Sequence, residues 1–271
     1  MWDTTVFSAT HHTLSWEVIA KGSWTRSPLA GESAEVTDST TTWDEPDGLA
    51  ARGTVVVLTG RGETPVSYQR FGRRLAADAY RVRVVRVDLD DLETTRQEVA
   101  ALLADDTLPA PKVLAGSDTG ATFAARLAPD LPAVDGVVLA GPALPGSATV
   151  DGWEAELDAR TACPTHRRVL GEDEGFVRGA LARPVPSGWD VGDVAQPALV
   201  LHGSADPVTR PDAAFAPFRD VKNAQLRIVA GAHHDVLNDV SHRSVAATVV
   251  LFLESLKLGA ELPVIVEHVQ A

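Results

Sequence analysis

Two residues that could act as nucleophiles lie side by side in the middle of the chain. The segment Val113–Ala128, VLAGSDTGATFAARLA, begins as an apolar strand and continues as a helix, with Ser117 and Asp118 in the turn between them. A serine hydroxyl attacks an acyl carbon after a base has removed its proton, whereas a carboxylate attacks an alkyl carbon without deprotonation. The register of this turn therefore decides which chemistry the sequence predicts.

Glycine spacing sets that register. A sharp strand-to-helix corner needs small residues two positions before and two positions after its tip, because strand and helix approach closely there. With Asp118 at the tip these neighbours are Gly116 and Gly120. With Ser117 at the tip one of them is the β-branched Thr119, which fits poorly. The spacing favours Asp118 as the nucleophile and leaves Ser117 as the alternative.

Two potential catalytic partners follow predicted strands later in the chain. Asp206 lies in LHGSADPVTR just after an apolar strand, and His234 lies in VAGAHHDVLND just after the next one. The carboxyl ends of parallel strands share one edge of a sheet, so both side chains are predicted to lie near the turn. A histidine oriented by a carboxylate serves as a general base, which predicts a catalytic set of Asp118, His234 and Asp206.

The elements around these residues predict a mostly parallel sheet flanked by helices. From Thr54 onward, buried apolar runs alternate with amphipathic stretches, and the last of these, SHRSVAATVVLFLESLK, has Ser241 as a plausible N-cap. Near the N-terminus, LSWEVIA predicts an antiparallel edge strand, and the polar segment Ser27–Asp47 is expected to cross the surface.

A stretch without strands interrupts this alternation. Residues 1–141 and 194–271 are predicted to form the core, and residues 142–193, here called the insert, to form a short helical lid. The aromatic residues of the insert are candidates for the wall of a substrate pocket: Trp153, Phe176 and Trp189.

Composition excludes several classes of function. The net charge of −13 disfavours nucleic acid and anionic membranes as partners, and no apolar run reaches the length of a membrane span. The single cysteine and the absence of a signal-like segment predict a cytoplasmic protein. No metal-ligand spacing and no cofactor motif is present, so we expect a small-molecule substrate and neither metal nor cofactor. The oligomeric state is open.

Two architectures compete for the start of the sheet. A dinucleotide-binding fold would place a third glycine where VVVLTGRGETP has Pro65. The same segment, TGRGE from Thr59 to Glu63, resembles the His-Gly-x-Gly-Glu loop of monoacylglycerol-lipase-like hydrolases, with Thr59 in place of the histidine. The turn resembles their Gly-His-Ser-x-Gly-Gly elbow, with Asp118 at the serine position.

The resemblance identifies the chain as a member of the α/β-hydrolase superfamily and implies an α/β-hydrolase fold. It also implies an oxyanion hole formed by the backbone N–H groups of Arg61 and Thr119. Haloalkane dehalogenases and epoxide hydrolases of this fold form an ester on an aspartate, which the resemblance implies for Asp118. Their leaving-group devices are not evident: the insert has no tyrosine, and Thr119 follows the nucleophile.

Three functions remain open at this point. The first is a hydrolase acting through Asp118 on an alkyl electrophile, where the side chain of Arg61 could bind a substrate carboxylate. The second is an esterase or lysophospholipase-like hydrolase that uses Ser117. The third is a non-hydrolytic catalyst or a ligand-binding protein built on the same fold.

Overall fold

A computed structural model of the chain describes residues 36–37, 40–191, 193–267 and 269. One sheet contains the strands, which in chain order are β1 (Val36–Thr37), β2 (Thr40–Trp43), β3 (Gly53–Leu58), β4 (Tyr80–Val85), β5 (Lys112–Ser117), β6 (Gly136–Ala140), β7 (Ala198–Gly203) and β8 (Ala224–Val229). The helices are α1 (Gln69–Ala77), α2 (Leu92–Ala104), α3 (Thr119–Leu127), α4 (Trp153–Arg160), α5 (Pro164–Glu172), α6 (Pro211–Phe215) and α7 (His242–Leu258).

The sheet is mostly parallel, as the sequence predicts. Its strand order is β1-β2-β4-β3-β5-β6-β7-β8, in which β1 and β2 are antiparallel to their neighbours and the strands from β4 to β8 run parallel. In β3, Val55 and Val57 pack into the apolar cluster on one face, while Val56 and Leu58 pack into the cluster on the other. Both faces are therefore covered, which explains the continuous apolar runs of the central strands.

The parallel arrangement brings the candidate residues to one edge. Asp118 directly follows β5, Asp206 comes shortly after β7, and His234 comes shortly after β8. Since β5, β6, β7 and β8 are consecutive neighbours in the sheet, their carboxyl ends lie next to one another.

The start of the described chain differs from the expectation. The segment Ser27–Asp47 was predicted to cross the surface, but Thr40–Trp43 forms β2 and pairs with β4. Trp43 packs directly on Gly72 of α1, where a Cβ would overlap the indole ring. The strand exists because of these tertiary partners, which its polar sequence does not reveal. The segment LSWEVIA lies outside the described residues.

Later elements match more closely, with two differences. The sequence does not predict α6, a five-residue helix between β7 and β8. Ser241 does precede α7, but its side chain makes no capping hydrogen bond. Within the insert the structure has α4, α5 and a 3-10 turn at Ala180–Ala182. Among the described residues, no helix is both long and apolar enough to cross a membrane.

Candidate active site

The turn between β5 and α3 places Asp118 at its tip. The backbone of Asp118 has φ 52° and ψ −124°, a conformation that is rare for a residue with a side chain. A Cβ on Gly116 would overlap the carbonyl oxygen of Gly120, and a Cβ on Gly120 would overlap the carbonyl oxygens of Leu58 and Thr59. Glycines at both positions therefore let β5, β3 and α3 meet closely enough to form the sharp turn.

The carboxylate of Asp118 contacts His234 and Arg61. Nε2 of His234 lies 3.0 Å from Oδ1, and the backbone N–H of Arg61 donates to Oδ2 at 2.8 Å. The guanidinium of Arg61 also binds the carboxylate in a bidentate manner, with Nη2 2.7 Å from Oδ1 and Nε 2.9 Å from Oδ2. Both carboxylate oxygens therefore have strong donors.

A second carboxylate orients the histidine from the other side. Nδ1 of His234 lies 2.8 Å from Oδ2 of Asp206. The other oxygen of Asp206 accepts the backbone N–H groups of Val208 and Thr209 at 2.7 and 3.1 Å. His202, four residues before Asp206, adds its Nε2 at 3.1 Å from Oδ2. The acid is thus fixed by its own turn and by a second histidine.

The charges of these groups follow from their contacts. Burial alone would lower the pKa of His234, but the carboxylates of Asp206 and Asp118 raise it to about 10. Burial opposes ionisation of Asp118, yet Arg61 and His234 hold its pKa well below the usual value. Although Asp206 is also buried, His234 and His202 lower its pKa. At neutral pH the site is an imidazolium between two carboxylates, with a guanidinium on one of them.

The site is closed in this structure. Asp118 and His234 have 0% exposed surface, and Arg61 has 3%. A cavity of about 630 Å³ lies beside Arg61 and is lined by that residue, Gly62, Asp88, Val177, Ala180 and other residues. Nη1 of Arg61 donates to the carbonyl of Arg183 on the rim of that cavity. The side chain of Arg61 therefore contacts both Asp118 and a residue of the cavity wall.

The insert contributes a buried cation that the sequence reading missed. Arg160, at the end of α4, is fully buried and donates from Nη2 to the backbone carbonyl of Arg61 at 2.6 Å. Its guanidinium lies 2.8 Å from Glu156, 3.5 Å from Glu63 and 3.4 Å from Asp235. An arginine four residues after a glutamate on a short helix is typical of an exposed ion pair. The sequence therefore gives no signal that Arg160 is buried.

Three of the surrounding side chains have metal-ligating atoms within reach of one another. One ligand atom each from Glu63, His166 and Asp235 lies within 4.8 Å of the others. The guanidinium of Arg160 already contacts both carboxylates, and burial together with Asp235 raises the pKa of Glu63 to about 8. Arg160 therefore already supplies positive charge to both carboxyl groups, so the cluster fits a buried polar network around this arginine better than a metal centre.

The other predicted residues lie as follows. Ser117 is the last residue of β5 and is buried, and the described hydrogen bonds of His234 do not include it. The hydroxyl of Thr119 lies 3.4 Å from Oδ2 of Asp118, while an oxyanion role for its backbone N–H stays a prediction. Trp153 packs on Phe176, with ring centroids 5.5 Å apart.

Trp189 stacks on Phe123 of α3 in the core, with ring centroids 5.7 Å apart. The insert residues that line the cavity beside Arg61 are instead in the segment 177–183. That the three aromatic residues form a pocket wall, and that the insert acts as a lid, stay predictions.

Comparison with solved structures identifies the architecture. A monoacylglycerol lipase from Paleococcus ferrophilus matches 80% of this chain and 98% of its own, with 19% identity and a TM-score of 0.64. A monoglyceride lipase variant from Saccharomyces cerevisiae matches 83% and 94%, with 15% identity and a TM-score of 0.62. An esterase from Rhodococcus sp. ECU1013 matches 80% and 95%, with 21% identity and a TM-score of 0.57.

No protein-family model and no curated protein matches the chain. At these identities the structural matches establish the fold and not the reaction. The α/β-hydrolase fold that the sequence resemblance implies is confirmed by these matches. The chain has the α/β-hydrolase fold, with an aspartate at the tip of the sharp turn between β5 and α3.

Proposed function

We propose that the protein is a hydrolase that uses Asp118 as a covalent nucleophile on an alkyl electrophile such as an alkyl halide or an epoxide. The observation that carries the proposal is the 3.0 Å contact between the Asp118 carboxylate and Nε2 of His234 at the tip of the elbow. Lipases and esterases of similar fold provide the architectural precedent.

The first step needs no base. Asp118 is ionised at neutral pH, so a carboxylate oxygen attacks the alkyl carbon, forms a C–O bond and displaces the leaving group. A halide departs as an anion, whereas the alkoxide formed from an epoxide takes a proton from solvent water. The product of this step is an ester on Asp118. The N–H of Arg61, 2.8 Å from Oδ2, is placed to stabilise the oxyanion that later forms on that oxygen.

The second step depends on the charge of His234. In the resting site the imidazolium is held between two carboxylates, and it cannot accept a proton in that state. Ester formation removes the negative charge of Asp118, so the pKa of His234 falls and the imidazolium releases its proton to solvent. The neutral imidazole, oriented by Asp206, then takes a proton from water, and the resulting hydroxide attacks the carbonyl carbon of the ester.

The side chain of Arg61 has to leave the carboxylate before attack. It now donates to both oxygens of Asp118 and to the carbonyl of Arg183 in the wall of the adjacent cavity. We therefore interpret this structure as the closed resting state. When substrate binds, the guanidinium moves toward the 630 Å³ cavity. A conformational step of this kind is common in enzymes with covered sites.

A second function is favoured by the same closure. The bidentate Arg61–Asp118 pair, at 0% exposure of the carboxylate, also fits a protein of this fold that no longer hydrolyses and instead binds a ligand or shuttles a proton. The two functions differ in one respect, because only the hydrolase forms a covalent bond to Asp118.

Trapping the ester tests the proposal. In His234→Gln the ester cannot be hydrolysed, so incubation with a panel of small alkyl halides and epoxides should add the alkyl mass to the peptide that carries Asp118. Asp118→Asn, the matched control, should remain unmodified. A fluorophosphonate probe that adds to wild type and not to Ser117→Ala would instead assign a serine esterase. No adduct with any of these reagents would favour the non-hydrolytic function.

A further inference from the structure

A second cavity, away from Asp118, is lined mainly by basic side chains. It has a volume of about 540 Å³, a size typical of ligand pockets, and its wall is formed by Arg70, Arg73, Arg74, Ala77, Thr165, His242 and Arg243. None of these residues contributes to the catalytic set. No carboxylate lines this cavity in the part of the chain that the structure describes.

The arginines of α1 share one face of the helix. Arg70, Arg73 and Arg74 are spaced by three and four residues, which directs their side chains to the same side. Like charges at this spacing repel one another. Within the described residues none of the three, and not Arg243 either, has a carboxylate within ion-pair distance. The positive charge of the cavity is therefore not neutralised by its own walls.

Existing contacts hold one guanidinium in position. Nη2 of Arg70 donates to the carbonyl of Asn238 at 2.7 Å, and Nη1 lies 3.5 Å from Sγ of Cys163. Arg73 and Arg243 are exposed and Arg74 is half-buried, so their guanidinium groups can reach a ligand. One guanidinium held by these contacts, together with three that are partly or fully exposed, suits an anion with several oxygen atoms.

Two helices also begin at the cavity. Thr165 lies in the first turn of α5, and His242 and Arg243 are the first two residues of α7. The residue before each helix makes no side-chain capping hydrogen bond. The N-terminal end of a helix carries partial positive charge, which favours phosphate, although the N–H of His242 itself donates to the carbonyl of Asp239. The local potential also acts on His242, whose pKa is lowered by burial and by Arg70, Arg74 and Arg243.

We propose that this cavity is a binding site for a small soluble molecule that carries two or more phosphate groups. The cavity has four guanidinium groups and the N-terminal ends of two helices, which together carry more positive charge than a single carboxylate would neutralise. Arginine also pairs with phosphate in a bidentate manner. The net charge of −13 opposes an extended polyanion such as nucleic acid or a membrane. A small ligand senses mainly the nearby arginines, since charges are screened beyond about 8 Å at physiological ionic strength.

Calorimetry with inorganic pyrophosphate on the full chain tests the site. At an ionic strength of about 0.15 M we expect saturable binding with a Kd below about 1 mM. The variant Arg73→Gln/Arg74→Gln should bind about tenfold or more weakly, because it loses charge-assisted hydrogen bonds. The matched control Arg210→Gln/Arg219→Gln removes the same charge from exposed arginines outside the cavity and should bind like wild type. Circular dichroism establishes that both variants are folded.

Further readouts locate the ligand and its source. The ring resonances of His242 should shift in step with saturation, and vesicles that contain phosphatidic acid should not sediment the protein. The proposal is overturned if wild type shows no saturable binding, or if both double variants weaken binding equally or not at all. Vesicle binding that pyrophosphate displaces would overturn it as well, since the site would then serve a lipid headgroup.

Discussion

The guanidinium of Arg61 donates to the carboxylate of Asp118 from Nε and Nη2, at 2.9 and 2.7 Å. Both side chains are almost completely buried from solvent. Taking two charges out of water is costly unless each meets the other with good geometry. The pair therefore links the stability of the fold to the reactivity of the Asp118 carboxylate.

A double-mutant cycle measures this link. Asp118→Asn leaves the guanidinium buried without its anion, so we expect a loss of about 3–5 kcal/mol in the free energy of unfolding. Arg61→Met should be similarly costly on its own. The double variant should be less destabilised than the sum of the two, with a coupling energy of about 2 kcal/mol or more from urea unfolding. Additive losses would mean that the pair does not exist in solution.

The close packing around the glycines of the elbow leads to a second prediction. Gly116→Ala and Gly120→Ala would each push a methyl group into backbone carbonyl oxygens, so we expect each to destabilise the protein by about 3 kcal/mol or more. The control is Gly171→Ala in α5, where a Cβ meets nothing within 4 Å. That change should be neutral or should stabilise by up to about 1 kcal/mol. Equal effects at the three positions in thermal unfolding would contradict the tight turn.

The ionisation of His234 can be followed by NMR. Its pKa is raised to about 10 in the folded protein from an ordinary value of 6.5, so the imidazolium stabilises the fold fully below pH 6.5. That contribution is lost as the pH rises through about 10. Labelled histidine should therefore show one ring that titrates near 10.

His242 serves as an internal reference because its pKa is lowered from 6.5. In Asp118→Asn the high pKa should fall, since one of the two flanking carboxylates is gone. A His234 ring that titrates near 6.5 in wild type would show that the carboxylates do not hold the proton.

The side chain of Arg61 is expected to restrain the nucleophile. Arg61→Met keeps the backbone N–H that contacts Oδ2 but removes the guanidinium from both oxygens, so a small neutral epoxide should alkylate Asp118 about tenfold faster than in wild type. The matched control is Arg178→Met, because Arg178 lines the same cavity without contacting Asp118. Intact-mass kinetics gives both rates. A slower reaction in Arg61→Met would mean that the guanidinium assists attack.

Local sequence predicted those parts of the molecule that depend on local constraints. The sheet follows from apolar runs such as the one in β3, and the tip of the elbow follows from Gly116 and Gly120, because a close approach of backbones leaves no room for a Cβ. His234 and Asp206 were predicted to lie together because each follows a strand of the same parallel sheet, and their contact is 2.8 Å.

Features made by distant side chains escaped prediction. The bidentate contact between Arg61 and Asp118 joins residues 57 positions apart. The burial of Arg160 depends on acidic residues from three separate segments. In the sequence each is one arginine among many charged residues. The strand β2 is polar and exists through its pairing with β4. Such features need the assembled fold, in which the partners are first brought together.

The covalent role of Asp118 is tested most directly by a single turnover in water labelled with ¹⁸O, using a substrate that the ester-trapping experiment has identified. Water that attacks the ester carbonyl leaves one heavy oxygen on Asp118, while the released alcohol takes its oxygen from the enzyme. Covalent catalysis through Asp118 predicts a gain of about 2 Da in the peptide that carries this residue, together with unlabelled product. Labelled product with an unlabelled peptide would contradict it.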